Sequence, residues 1–496
     1  MNRDSSSRAR DVLLERLRDR ELLCELAYID GEWCDGESSE TFDVTNPADG
    51  SRLASVASIG PGQSRAAVEA ADLAFREWSL LLPQERARVL RRWNDMILAS
   101  REDLALLMTL EQGKSLDESR GEIDYGASFV EFYSEEAKRP NIEGVTSHLK
   151  GAEVEVWREP LGVAGLITPW NFPHAMLTRK AAAALAAGCT VVAHPSAETP
   201  LSALALARIA ERAGFPRGVF NVLPGTAPVI VAEWMNTPLV RAISFTGSTE
   251  VGRLLFRQSA DTIKRMVMEL GGHAPFLVFA DANLGHAVDC ALTAKFATSG
   301  QDCLAANRIL VERPVYDEFC REFADRSATL SVGNGLDNAA IGPLMNAGAL
   351  AKQVEHVRDA VAKGARILTG GQRHPAGELF FQPTVLADVS ADALLFREET
   401  FGPVAAVAPF DNEDEALRRA NDTEYGLVAY VHTENAHRIY RLTRALQYGM
   451  VAVNRTRVTG APIPFGGMKQ SGLGREGARQ GMEAFTEVKY VCRDYA

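Results

Sequence analysis

Between residues 161 and 269 short apolar runs alternate with helical stretches, and no other feature constrains the fold as tightly. The runs are Gly162–Ile167, Thr190–Ala193, Val219–Leu223, Ala242–Phe245 and Lys264–Glu269. Helical patterns at 174–187, 199–213, near 227–235 and at 248–259 separate them, with Gly188 and Gly214 closing two of the helices. Such alternation predicts a parallel sheet covered on both faces. Ligands of such sheets bind at the carboxyl ends of the strands.

After Gly271-Gly272 the alternation restarts more loosely. Val278, Ile309–Val311, Ala365–Leu368 and Val404–Phe410 are strand candidates, with helices near 283–298, 314–329, 347–363, 412–420 and 434–447. This predicts a second α/β domain. Ahead of both, an amphipathic helix is expected at 9–27, short strands and turns at 28–58, and helices at 62–80, 83–112 and 114–138. Pro140 and Asn141 stop the last of these. Residues 144–159 alternate loosely, as an exposed hairpin does. The strand-like end Glu487–Cys492 is a candidate partner for that hairpin. No internal repeat or low-complexity segment interrupts the chain.

Composition narrows the function classes. With 53 basic and 65 acidic residues the 496-residue chain carries a formal charge of −12, so nucleic acid and anionic membrane are not expected partners. No unbroken apolar stretch reaches the roughly 18 residues a membrane span needs. Seven cysteines form no CxxC pair, and their odd number in a long chain suits a reducing compartment. The N-terminus is Arg/Ser-rich but carries Asp4, Asp11, Glu15, Asp19 and Glu21, unlike a presequence. A cytoplasmic location is expected. The nine histidines are scattered without HExxH, so no metal site is indicated. GxSxG and GxxxxGK[ST] are also absent, which argues against a serine esterase and a P-loop NTPase.

Three residues could carry chemistry. Cys303, in Ser299-Gly300-Gln301-Asp302-Cys303, has polar neighbours and a preceding glycine turn. Most free cysteines are packing residues, but a nucleophilic thiol needs the partial exposure this setting offers. Glu269 ends the apolar run Met266-Val267-Met268 beside a double glycine. A carboxylate there is either salt-bridged or placed as a base. Asn171 lies in the loop Thr168-Pro169-Trp170-Asn171-Phe172-Pro173, which two prolines stiffen, and its amide can meet a developing oxyanion. Phe245–Gly252 joins a strand to a helix with GxxxxG spacing, and Ser248 can cap that helix where an anion would also sit.

Taken together these segments resemble the aldehyde dehydrogenase superfamily. The carriers are Pro169–Pro173, Phe245–Gly252, Met268–Gly272, Gly300–Cys303, Glu398–Pro403 and Pro464–Gly467, in that order, with Glu269 and Cys303 separated by 34 positions. Thr109–Lys114, Ser134–Arg139, Met176–Ala181 and Gly472–Gly477 are most similar to the succinate-semialdehyde dehydrogenases. The resemblance implies an α/β fold with a Rossmann-like cofactor domain (10–138 and 161–271), a catalytic domain (272–470) and a bridging β-hairpin unit (139–160 and 484–496). It implies Cys303 as nucleophile, Asn171 as oxyanion donor and Glu269 as the base that activates water. It places the cofactor, NAD or NADP, against Thr168, Trp170, His194, Ser196, Ala197, Gly247, Ser248, Leu270, Glu399 and Phe401. A homo-oligomer, dimer or tetramer, is expected.

Departures bear on the ligands. His194 stands where the family usually has Lys, and Ala197 where an acid often clamps the ribose, so use of both cofactors with NAD slightly favoured is expected. Arg179 matches an arginine that binds the substrate carboxylate. The second such arginine of the pattern corresponds to Ala297, and Thr459 replaces a substrate-binding serine. His174, Arg455 and Arg457 offer cations instead, and Asp302 and Phe465 complete the expected pocket. A small anionic aldehyde of the succinate-semialdehyde type is the expected substrate. A compact sulfonate head, as in 3-sulfolactaldehyde, is the sharper alternative, because a guanidinium fork suits it equally. A thioester-forming hydrolase without a redox cofactor would use the same Cys303 and Glu269, but the intact 245–252 and 398–403 motifs speak against it.

Overall fold

A computed structural model describes residues 3–139 and 141–494. Pro140, read as a helix stop, and Tyr495 and Ala496, assigned to the bridging unit, lie outside the described residues. The first sheet has eight strands, in the spatial order Gly472–Leu473, Arg265–Glu269, Val240–Thr246, Val163–Ile167, Thr190–His194, Phe220–Val222, Ala27–Ile29 and Glu32–Cys34. Its five central strands run parallel. Antiparallel strands flank them on both sides. The apolar runs of the sequence form this parallel core.

The order in which successive strands are added to the sheet reverses at Val163–Ile167. The next two parallel strands lie on one side of it, and Val240–Thr246 and Arg265–Glu269 lie on the other. Such a switch opens a crevice at the carboxyl ends, where neighbouring loops diverge. Three loops gather there: Thr168–Pro173, the stretch after His194, and Gly247-Ser248. The helix Ala175–Ala187 between the first two strands is buried along its whole length. Seven of its thirteen residues are alanine, which lets it pack closely against both the sheet and the helix Leu116–Glu136. Gly188, at φ +102, ends it with the left-handed turn that suits glycine.

The second sheet has seven strands, in the order Arg366–Thr369, Thr384–Ala387, Val404–Phe410, Ala306–Glu312, Ala274–Val278, Val428–His432 and Met450–Val453. All its pairings except the first are parallel. A third sheet joins Ile142–Val145, Ala152–Pro160 and Thr486–Asp494, with Val488 opposite Arg158.

Several helix readings need correction. The stretch 83–112 is two helices, Pro83–Ala99 and Arg101–Gln112, broken at Ser100 (φ −96, ψ 10). Hydrophobic spacing runs on through that break and conceals it. The first helix ends at Arg16, and a short turn at Arg20–Leu22 follows. There Asp103 accepts the backbone N–H groups of Arg18 and Asp19 at 3.0 and 2.9 Å. The helix near 283–298 stops at Phe296 and gives way to a kinked turn, Ala297–Gly300, with Thr298 and Ser299 at φ +50 and +57.

One buried carboxylate locks the helices beneath the first sheet. Glu111 accepts the backbone N–H groups of Leu201 and Ser202, both at 2.8 Å, and the Ser202 hydroxyl at 2.5 Å. It thereby caps the helix Pro200–Ala213 from a helix ninety residues earlier. Glu111→Ala strands two buried amides, each worth about 1–3 kcal/mol. We expect a loss of roughly 2–4 kcal/mol, read as an earlier urea midpoint, and a smaller loss for Glu111→Gln.

Candidate active site

Cys303 follows the kinked turn Ala297–Gly300, and that turn is bolted in place. The Ser299 hydroxyl accepts the Gly342 N–H at 2.9 Å. The Gln301 amide accepts from Met345 N–H at 2.9 Å and donates to Pro343 O at 3.3 Å. Gly300 sits at φ +70, where a Cβ would lie 2.3 Å from the Gly402 carbonyl oxygen. At Gly272 a Cβ would lie 2.0 Å from the Cys303 carbonyl oxygen, so the double glycine lets the base strand approach the thiol loop. Asn171 donates its side-chain amide to the Gln301 carbonyl at 3.1 Å, which leaves its second amide hydrogen free for another acceptor. Lys114 fixes the loop from behind, donating to the Asn171 carbonyl and to Glu122, both at 2.6 Å.

Cys303 is half-buried and lines a cavity of about 300 Å³. Burial first, then the charges of Asp302, Glu399 and Glu269, push its thiol well above the usual range, and Arg179 pulls it back. Glu269, at the carboxyl end of Arg265–Glu269, is 2% exposed, and neither of its carboxyl oxygens has a hydrogen-bond partner. Burial and the nearby Glu476 raise its carboxyl well above the ordinary value, against Arg179, Lys180 and Arg475.

Glu476 is the residue sequence reasoning missed. It accepts from Arg179 Nε at 2.6 Å, from Lys180 Nζ, and from the Ser244 hydroxyl at 3.2 Å. Burial opposes its ionisation, yet Lys180 and Arg179 outweigh that and hold its carboxyl below the usual range. A signal was present in the sequence: Arg179-Lys180 inside an alanine-rich helix is a buried pair of cations, and such a pair demands a counter-charge.

The expected substrate residues divide. Arg179, Asp302, Arg457, Thr459 and Phe465 line the cavity with Cys303, as does Ala297. Arg179 is not free: besides Glu476 it contacts Met176 Sδ at 3.1 Å, and its guanidinium lies 4.2 Å from the centre of the Phe465 ring. His174 is a correction. Its backbone N–H donates to Glu122 at 3.0 Å, and its fully buried ring packs against Gly126 on the helix behind the cavity. Burial pushes that ring down to about 3, so it is neutral and cannot serve as a cation. Arg455 is a second correction. Asn454, at φ +52 and bonded through its amide to Thr433, bends the chain, and the exposed Arg455 falls outside the cavity lining. Arg457 is exposed at the mouth and has no ion-pair partner among the described residues.

A second cleft, of about 560 Å³, opens on the other side of the Thr168–Pro173 loop. Thr168, Trp170, His194, Ser196, Ala197, Gly247 and Ser248 line it. Ser248 caps the helix Thr249–Gln258 by accepting Val251 N–H at 3.3 Å. At Gly247 a Cβ would strike the Phe245 ring at 2.5 Å, so bare backbone is the only fit there. A strand-to-helix turn of bare backbone and a capped helix N-terminus suits a dinucleotide's phosphates. Phe401 meets Trp170 edge-on, with ring centres 5.5 Å apart, and Glu399 accepts the Gly272 N–H at 2.7 Å. Burial raises the Glu399 carboxyl to about 7. Neither Phe401 nor Glu399 belongs to the cleft lining itself. Leu270 does not line it either: its buried side chain packs where a Cβ on Gly252 would lie 2.5 Å away. No group of three or more potential metal ligands occurs among the described residues. No described helix is long and apolar enough to cross a membrane.

The chain is 50% identical to the non-phosphorylating aspartate-semialdehyde dehydrogenase of Halomonas elongata, over 97% of this chain and 98% of that protein. It is 49% identical to the 3-sulfolactaldehyde dehydrogenase of Pseudomonas putida, over 96% and 98%. A crystal structure of succinate-semialdehyde dehydrogenase from Burkholderia pseudomallei superposes with a TM-score of 0.96 at 47% identity, covering 97% and 100%. The model of the Aldehyde dehydrogenase family matches residues 33–491, and the chain belongs to that family of NAD(P)-using enzymes.

Proposed function

We propose that this aldehyde dehydrogenase oxidises a small anionic aldehyde of the succinate-semialdehyde type to its carboxylic acid, using Cys303 as nucleophile. The observation that carries the anionic part is Arg457, an exposed guanidinium without an ion-pair partner among the described residues, which lines the same cavity as the thiol. In the reading we favour, the Cys303 thiolate adds to the aldehyde carbon, forming the C–S bond and an oxyanion. The free amide hydrogen of Asn171 stabilises that oxyanion. A nicotinamide cofactor held in the second cleft would supply the acceptor for the hydride. Loss of hydride from the same carbon leaves a thioester on Cys303. Glu269, with unpartnered and basic oxygens, takes a proton from water. The resulting hydroxide adds to the thioester carbon, the C–S bond breaks, and carboxylic acid and thiolate separate. Thr168, Trp170, His194, Ser196, Ala197, Gly247 and Ser248 would hold the cofactor, with Phe401 and Glu399 beside its reacting end.

A second reading keeps this chemistry and takes a sulfonated aldehyde, 3-sulfolactaldehyde to sulfolactate. Ala297, a small neutral residue in the lining of the cavity that Arg457 also lines, favours it by leaving room for a tetrahedral head. The exposed apolar side chains Ile142, Val145, Val488 and Tyr490 on the three-stranded sheet support a homo-oligomer, dimer or tetramer.

Arg457→Ala should raise KM for succinate semialdehyde about tenfold and leave kcat within about twofold, the mark of lost ground-state binding. An unchanged KM removes Arg457 from the substrate site. A side-by-side assay with 3-sulfolactaldehyde chooses the head group: a kcat/KM for succinate semialdehyde equal to or above that for the sulfonate rejects the second reading. Iodoacetamide inactivation against pH tests the thiol. Asp302 raises the Cys303 thiol, so Asp302→Asn should move the inactivation profile to lower pH, whereas Cys303→Ala should abolish dehydrogenase activity. Light scattering should give a mass of at least twice the 53.9 kDa chain, and a single-chain mass rejects the oligomer.

A further inference from the structure

Arg457 can meet an anion only if the loop that carries it keeps its place relative to Cys303. That loop leaves the second sheet at Asn454, just past the strand Met450–Val453. Every polar group of Asn454 is engaged. Its N–H donates to the Val431 carbonyl at 2.8 Å, its side-chain carbonyl accepts Thr433 N–H at 3.0 Å, and its amide donates to the Thr433 carbonyl at 2.9 Å. Those bonds go to the adjacent strand Val428–His432 and the residue after it. The remaining one does not: the Asn454 carbonyl accepts from Nε2 of His286, 168 positions away, at 2.9 Å. This carbonyl belongs to the planar peptide unit that leads into Arg455, so holding its oxygen fixes the direction in which the loop departs. Only Arg455 and Thr456 separate that anchor from Arg457.

His286 lies in the first turn of the helix Leu284–Phe296, where its backbone N–H donates to the Asn283 side chain at 3.1 Å. The far end of this helix runs into the turn Ala297–Gly300, and Cys303 follows. One helix therefore ends at the thiol turn and begins at the bond that roots the Arg457 loop. A carbonyl oxygen only accepts, so the bond requires the imidazole proton on Nε2. Two neighbours hold the ring. It meets His432 edge-on, with ring centres 6.0 Å apart, and Cys290 places its Sγ 3.6 Å from the same nitrogen. His432 is buried and stacked on Phe276, with ring centres 4.6 Å apart. Burial first, then His286, push the His432 ring down to about 4, so that neighbour is neutral and acts as a wall. His286 itself is exposed and could turn to water, yet its ring is committed to a backbone carbonyl.

We propose that His286 is a positioning residue for substrate recognition: by holding the Asn454 carbonyl it aims Arg457 at the negative end of an aldehyde bound at Cys303. The inference rests on the reading of Arg457 as the anion-binding cation. Steady-state kinetics of the full-length enzyme with succinate semialdehyde and with the uncharged aldehyde butanal test it, in His286→Ala, His286→Gln, Arg457→Ala and the His286→Ala/Arg457→Ala double variant. His286→Ala should raise KM for succinate semialdehyde about fivefold with kcat within about twofold, and should move KM for butanal less than about twofold. His286→Gln, which keeps a side-chain N–H donor, should return KM to within about twofold of wild type. The double variant should be no worse than Arg457→Ala, because a residue that acts through Arg457 adds nothing once Arg457 is gone. An unmoved KM in His286→Ala, an equal rise for butanal, no rescue by Gln, or additive losses in the double variant would each overturn the role of His286. An unmoved KM in Arg457→Ala would instead overturn the reading of Arg457, and this inference with it.

Discussion

The site depends on a buried set of four charges: Glu269, Glu476, Arg179 and Lys180. Two cations from the alanine-rich helix meet one carboxylate from the end of a central strand and another from 297 residues further along the chain. Each of these side chains is at most 5% exposed. Burying them costs several kcal/mol per ion, so the set is tolerable only when charges balance and hydrogen bonds are made. Glu476 satisfies both cations. Glu269 receives no hydrogen bond and is left with the raised carboxyl. Ordinary packing would not leave that group unmatched, and a base that must take a proton from water benefits from it. The strand Gly472–Leu473, paired at the edge of the first sheet with Gly472 opposite Glu269, delivers Glu476 to the cluster.

The same bookkeeping explains how a cavity lined by three carboxylates can admit an anion. Glu118 accepts the Thr298 N–H at 2.6 Å and the Ser115 N–H and hydroxyl at 3.3 and 3.2 Å. Glu122 is paired with Lys114. Burial pushes the Asp302 carboxyl up, towards its neutral form. Each formal negative charge is thus bonded, paired or weakened, while Arg179 is spent on Glu476. Arg457 is the cation left over, and the chain's net charge of −12 says nothing about it.

Periodicity alone made the parallel core legible, because buried strands and covering helices repeat in hydrophobicity along the chain. The boundaries at 188 and 214 were legible because glycine relieves a left-handed turn. Ser100 was not, since a break between two buried helices leaves the apolar spacing undisturbed. Side-chain direction was the larger loss. His174 and Arg455 stand within a few residues of cavity-lining positions, yet one points into the helix layer and the other into solvent. Glu476 was invisible for a related reason: sequence spacing orders residues along the chain, whereas ion pairing across 297 positions is decided by where the C-terminal strand returns.

A single loop separates the two cavities. Thr168, Pro169 and Trp170 line the larger cleft, Phe172 lines the thiol cavity, and Asn171 between them bonds to Gln301. Successive residues of one short segment therefore serve opposite sides, which requires that the segment not slide or twist. Pro169 and Pro173 restrict its dihedrals, Trp170 is braced edge-on by Phe401, and Lys114 clamps the carbonyl of Asn171. A flexible loop would let the amide that meets the oxyanion drift by an ångström or more, and such drift is costly to a reaction that needs aligned atoms. The rigidity read from two prolines and two aromatics thus has a positional meaning: it sets the distance between what binds in the cleft and what binds at the thiol.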